Sequence, residues 1–337
     1  MAGSSFSNSP KSNFRFQVCR KRRLVWWISG LFLTFSAFGL IFSCLNPSIK
    51  APLRPGLDFT GGTQIQLERV CDSSCDSISS EYVSEVLREL SLPNEKGISA
   101  PKLIQPRVQL VDDSKVLVLR LPFLSASQGQ SVIEAMRPIA GPFTSGGQSV
   151  DTIGPSLGGQ LLKSSIVSLI TAFLGIAIYI NVRYDRRFAV LALIALSHDI
   201  VIVCGIYAWL GLFISLEVDS LFAVALLTIA GYSVNDTVVV FDRIREKSRL
   251  DETLSLSDQI DSAVSATLTR TIYTSGTTLL PLLALIFFGG ATLYWFAIAL
   301  ALGVVIGSWS SIALAPSLLS ISDNKKSNNS RPLINNE

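Results

Sequence analysis

The chain has 337 residues, of which 49% are hydrophobic and only 16% charged, with a formal net charge of +3. An ordinary soluble domain carries about 25% charged residues, and the apolar residues here collect in long runs. That pattern excludes a disordered chain, a nucleic-acid-binding domain and an ordinary cytosolic enzyme.

Residues 1–23 are polar and basic and are expected to form a cytoplasmic segment. Leu24 to Leu45 is the first apolar run. It is too long for the apolar core of a signal peptide and lacks a small-x-small exit, so it reads as an uncleaved anchor. Residues 46–160 have ordinary globular polarity. Within them, Gly56 to Thr63 reads as a turn that launches a strand over Thr63 to Val70. Tyr82, Val83, Val86, Leu87 and Leu90 recur at helical spacing over Ser80 to Leu90. Arg107 to Val111 and Lys115 to Leu121 read as a hairpin turning at Asp112-Asp113-Ser114, Ser127 to Ile139 as a second helix, and Ser149 to Ile153 as a closing strand. The order β-α-β-β-α-β predicts a small ferredoxin-like domain. Apolar runs then follow at Ser164 to Val182, Phe188 to Ile214, Leu221 to Phe241, Ala263 to Phe288 and Leu293 to Leu319. Each is long enough to cross a hydrocarbon core of about 30 Å at about 1.5 Å per residue. The predicted fold is therefore a polytopic α-helical membrane protein. It has six transmembrane helices, at 24–45 and within 161–320, and an external α+β domain at 46–160 between the first two. A Ser/Asn-rich tail at 321–337 is expected to be disordered.

Basic residues set the orientation. Lys11, Arg15, Arg20, Lys21, Arg22 and Arg23 precede span one. Arg183, Arg186 and Arg187 join spans two and three, and Arg243, Arg245, Lys247 and Arg249 join spans four and five. Lys325, Lys326 and Arg331 follow span six. The opposite hairpins, Ser215 to Ser220 and Gly289 to Thr292, carry neither Lys nor Arg. Both termini are expected in the cytoplasm. Cys71 and Cys75 then lie outside it, where they either form a disulfide or stay as two thiols.

Ionisable groups at bilayer depth cost several kcal/mol and mark function by default. Asp199 lies about 16 Å along span three from Phe188, near the midplane. A carboxyl there can load and release a proton, which an aliphatic residue cannot; the alternative is a neutral hydrogen-bonding tie between helices. Arg270, within span five, is its expected electrostatic partner, because Arg keeps its proton. His198, the single histidine, can relay a proton or serve as a neutral hydrogen-bonding ring. One His and one adjacent Asp on different helix faces make a metal site unfavourable. In span four, Gly231-Tyr232-Ser233-Val234-Asn235-Asp236 puts Asn235 and Asp236 within the bilayer. Asp242 and Glu246 share a face, flanked by Arg243 and Arg245. Small residues at Thr274 to Thr278, at Gly303 and Gly307 and at Ser308 to Ser311 allow close helix packing. There is no P-loop, nucleophile elbow or His-Glu-x-x-His motif, so no enzymatic activity and no cofactor is expected. Energy must come from a partner or from an ion gradient.

Several stretches are similar to a known family. Gly56-Leu57-Asp58-Phe59-Thr60-Gly61-Gly62-Thr63 resembles the GxDFxGGT signature of the SecD/SecF family, and Gly154-Pro155-Ser156-Leu157-Gly158 its entry to the second span. Ala195 to Asp199, the run Gly231 to Glu246 with Asp242 and Arg243, and Leu268 to Thr278 with Phe288-Gly289-Gly290 resemble the SecF branch, as does Ser308 to Ser311. This resemblance, within the broader RND superfamily, implies a subunit of the SecDF complex. Such a subunit uses the proton motive force to assist Sec-dependent translocation after the preprotein has entered the channel. It implies SecD, the channel subunits SecY, SecE and SecG, with YajC and YidC, unfolded preprotein, membrane lipids and protons as partners, and the bacterial inner membrane as location. The family's third-span Asp and fifth-span Arg fall on Asp199 and Arg270. Competing readings are a half-size RND exporter and a non-coupled structural subunit of the translocon.

Overall fold

The computed structural model describes residues 16–71, 75, 78–94, 100–104, 106–111, 114–250 and 254–320. The Asp112-Asp113 turn, the tail at 321–337 and the basic residues Lys11, Arg15, Lys325, Lys326 and Arg331 lie outside them. The chain divides into two units, one of residues 1–54, 168–216 and 221–337, the other of residues 55–167 and 217–220.

The secondary structure begins with α1 (Arg22–Leu45), followed by a short α2 (Leu57–Thr60), β1 (Gly62–Arg69), α3 (Ser80–Glu89), β2 (Arg107–Val111), β3 (Val116–Leu121), α4 (Ala126–Ala140) and β4 (Phe143–Ile153). Long helices follow: α5 (Pro155–Arg183), α6 (Arg186–Phe213), α7 (Ser220–Leu250), α8 (Leu256–Phe288) and α9 (Gly290–Trp309). A π-helical turn (Ser310–Leu314) and α10 (Ala315–Leu319) close the series. Among the described residues, six helical stretches, the last at Leu293–Leu319, are long and apolar enough to span a membrane. In such a span each backbone group must find its partner within the helix.

Several of these helices outrun their apolar stretches. Pro155 opens α5 well before Ser164, since a first-turn proline gives up an N–H that has no partner there anyway. The helix α7 continues past Phe241 to Leu250, with Lys247 and Arg249 in its last turn, where cations suit the helix dipole. Ser255 caps α8, its Oγ accepting from the Asp258 amide at 3.2 Å.

In the first unit α1 packs against α6 through small residues. A Cβ on Gly205 would lie 2.1 Å from Ser36 Cβ, so no larger side chain fits. Phe35 stacks on Trp209 with ring centroids 5.1 Å apart. The π-helical turn lies just before Pro316, which has no N–H to give. The Ala315 amide bonds the Ser310 carbonyl, five residues back.

The second unit contains a four-stranded antiparallel sheet of order β2-β3-β1-β4. With α3 and α4 between the strands in sequence, it has the predicted ferredoxin-like order. Its core is Ile65, Leu67, Leu117 and Leu119 from the alternate positions of β1 and β3, with Val83 and Leu87 of α3 and Val132 and Met136 of α4. The fourth strand starts at Phe143, earlier than Ser149: Phe143 pairs with Arg69 and Gln148 with Leu67, and the register shifts between these two pairs, so Gly146 and Gly147 fall in a bulge of the strand. Cys71 and Cys75 form a disulfide, with Cα atoms 5.2 Å apart.

Candidate functional site

Asp199 sits in the middle of α6 and is fully buried. Ser233 of α7 donates its hydroxyl to Asp199 Oδ2 at 2.6 Å. Ser310, the first residue of the π-helical turn, donates to the same oxygen at 2.7 Å. His198 Nδ1 is 2.9 Å from Oδ1. Two segments distant in sequence thus converge on the carboxyl of α6, and the adjacent His198 completes its partners. Glycine makes room for them: a Cβ on Gly307 would lie 3.3 Å from Ser233 Cβ and 3.7 Å from Asp199 Oδ2.

The chemistry of these partners suits a group that changes charge. A hydroxyl donates or accepts by rotation, so the two serines can serve a carboxylate or its protonated form. Imidazole takes a proton on one nitrogen and gives it up from the other. His198 is buried, and among the described residues its Nε2 has no hydrogen-bond partner. Sequence spacing places His198 and Asp199 on different helix faces, yet His198 Nδ1 lies within hydrogen-bond distance of the Asp199 carboxyl.

The remaining residues fall into separate places. Arg270 is exposed on α8, and among the described residues it forms no ion pair with Asp199. Depth along a helix does not fix which face a side chain takes. Its electrostatic neighbour is Asp236 of α7, which is buried and whose Oδ2 has no hydrogen-bond partner among the described residues. Asn235 and Gly231 lie on the exposed side of α7. Asp242 pairs with Arg183 at 3.7 Å, and Arg243 with Glu246 at 2.6 Å. Among the described residues, no group of three or more His, Cys, Asp or Glu could hold a metal ion.

The glycine-rich motif forms a joint in the second unit. The Gly56 amide bonds the Val218 carbonyl at 2.8 Å, and Phe59 lies half-buried in α2. Asp58 accepts from the Ser220 amide at 2.9 Å and from its hydroxyl, capping the start of α7. Gly61 and Gly62 have φ of 69° and 137°, and a Cβ on Gly62 would lie 2.7 Å from the Leu121 carbonyl oxygen. Thr63 accepts from the Leu124 amide at 3.0 Å. Beside this joint, buried Glu217 binds both Arg107 of β2 and Arg120 of β3.

Sequence reasoning missed two features. Ser310 gave only a packing signal and Ser233 no signal of its own beyond the span-four run, and their role as donors to Asp199 needs the fold. Tyr232 donates to Ser275 at 3.0 Å, and Ser275 and Ser308 Oγ atoms are 2.6 Å apart, giving a second polar chain across α7, α8 and α9. Outside the spans, burial and then Asp261 push the Cys19 thiol up to about 12. Burial and Asp242 likewise hold Tyr184 above its ordinary range.

Comparisons with known proteins converge on these same segments. The family profile described as "Protein export membrane protein SecD/SecF, C-terminal" matches residues 140–325, and that of the "SecD/SecF GG Motif" matches residues 49–71. The protein translocase subunit SecF of Prochlorococcus marinus is 57% identical over 318 residues, covering 94% of this chain and 98% of that protein. The chain belongs to the SecF family of protein translocase subunits. SecF of Synechocystis is 40% identical over 87% of the chain and 90% of its own length. Among solved structures, SecDF of Thermus thermophilus, described as a translocon-associated membrane protein, is similar with a TM-score of 0.76 at 29% identity. It covers 94% of this chain, which in turn spans 40% of the solved SecDF chain. Family membership and the six apolar helices make the chain a multi-pass membrane protein.

Proposed function

We propose that this SecF-family chain pairs with a SecD subunit at the Sec translocon and couples proton movement through Asp199 to protein export. The observation that carries the reading is the convergence of Ser233, Ser310 and His198 on a fully buried carboxyl. His198 hands a proton between Nε2 and the carboxyl, and the serines rotate to match its charge. Loading and release alter the ties between α6, α7 and the π-helical turn, and that change drives the movement that assists the preprotein. One charge crossing 100 mV supplies about 2.3 kcal/mol, enough for a few protons to shift packed helices.

Arg270 and Asp236 form the second ionisable element of the relay. An exposed arginine on a membrane span requires cover, and SecD provides it in this reading. Asn235, next to Asp236 on α7, belongs with this relay, and Gly56 to Thr63, Gly231, Asp242 and Arg243 serve as structural positions. The termini face the cytoplasm, the sheet unit faces outward, and the membrane is the bacterial inner membrane. No enzymatic step is assigned to the chain.

The test is preprotein export in cells or vesicles carrying Asp199→Asn together with SecD. Export should lose its acceleration by a proton gradient while its basal rate, without a gradient, stays unchanged. Gradient-dependent export at the wild-type rate would remove Asp199 from the coupling and favour a purely structural subunit.

A further inference from the structure

Four ends of membrane-length helices meet in the first unit: the start of α6 at Arg186, the end of α7 near Leu250, the start of α8 at Leu256 and the end of α10 at Leu319. Between them is a recess of about 650 Å³. Its lining carries Arg186, Arg187, Arg245 and Arg249 and, among the described residues, one carboxylate, that of Asp185, and Phe188, Ile244, Leu256 and Leu319 supply its apolar walls.

The pairing of nearby charges sets this recess apart. Arg183 and Arg243 on the same segments are matched by Asp242 and Glu246. Among the described residues, Arg186, Arg245 and Arg249 have no carboxylate partner. They come from two helices, so their convergence is a product of the fold rather than of one basic run. Guanidinium groups take phosphate oxygens through two parallel N–H donors each. Basic pockets between span ends, at the level where headgroups sit, suit anionic lipids. We propose that this recess holds the phosphodiester headgroup of an anionic membrane lipid, with the first carbons of the lipid against Leu256 and Leu319.

Phosphodiester recognition could also serve a soluble phosphate, and simple net charge could attract any anionic lipid. The experiment separates these. The full chain is purified in detergent, and retention of phosphatidylglycerol and phosphatidylcholine is read by native mass spectrometry. The triple variant R186Q/R245Q/R249Q should retain at least about tenfold less phosphatidylglycerol than wild type, whereas R20Q/K21Q/R23Q, with the same charge removed elsewhere, should match wild type. Wild type should prefer phosphatidylglycerol to phosphatidylcholine, and millimolar inorganic phosphate should displace little of it. R186K/R245K/R249K keeps the charge that sets topology and should still lose lipid at least about threefold with unchanged helix content. Equal loss in the two Gln triples, full retention in the Lys triple, equal retention of both lipids, or full displacement by inorganic phosphate would each overturn the proposal.

Discussion

Ser233 Oγ donates to Asp199 Oδ2 at 2.6 Å, joining the middle of α7 to the middle of α6 through a carboxyl with no exposure to solvent. The contact is short, charge-assisted when Asp199 is ionised, and shared with Ser310. Hydrogen bonds to charged groups are each worth about 1.5–3 kcal/mol. Ser233→Ala and Ser310→Ala should therefore each cost about tenfold in gradient-driven export. Ser→Thr, which keeps the hydroxyl, should restore part of it. Export rates with and without a gradient check this, and the double alanine variant should lose less than the product of the two single losses, because both donors serve one oxygen.

Close packing of α9 on α7 makes a second prediction. A Cβ on Gly303 would lie 2.2 Å from Ile229. Gly303→Ala overpacks the pair and should destabilise the chain by about 1–3 kcal/mol. Thermal unfolding in detergent measures it. Adding Ile229→Ala should recover more than half of the loss, since the two residues share one contact.

Asp58 ties the GG motif to the first turn of α7 through the Ser220 amide and hydroxyl. Asp58→Ala removes this cap and should cost about 1 kcal/mol, as loss of a capping side chain does. Asp58→Asn keeps an acceptor and should cost less. Both are read as shifts in the thermal midpoint of the full chain.

Cys19 is buried, its amide donates to Asp261 Oδ1 at 2.9 Å, and its thiol is pushed up to about 12 by burial and by that carboxylate. A thiol reacts as its thiolate. Below a pKa near 12 the neutral form dominates, so at pH 8 Cys19 carries about a thousandfold less thiolate than an ordinary cysteine, whose pKa is 9.0. Maleimide should leave it unlabelled at pH 8. Asp261→Asn removes the second cause and should speed labelling while leaving it slower than for a free thiol. Mass spectrometry of the labelled peptide follows both.

Much of the fold is legible in the sequence because its signals are local. Runs such as Leu24 to Leu45 declare a span by length, and the alternation through Ile65 and Leu67 declares a buried strand face. The early part of β4 is not legible, since Gly146 and Gly147 carry no alternation and fall where the register with β1 shifts, and the strand's start rests on the single pair Phe143 with Arg69. For the site, depth singles out Asp199, but its donors lie on other helices, and no local pattern links Ser233 or Ser310 to it. Arg270 shows the limit of depth most clearly: it can be placed along α8 from sequence, while its face of the helix and its neighbour Asp236 follow only from the packing.

The central claim is that Asp199 carries the transported proton, and proton flux measures it most directly. The full chain and its SecD partner are reconstituted in vesicles with a pH-sensitive dye inside, and a gradient is imposed. Wild type should conduct protons during preprotein movement, Asp199→Asn should conduct at least about tenfold less, and Ser233→Ala should fall between them. Flux in Asp199→Asn equal to wild type would contradict the account.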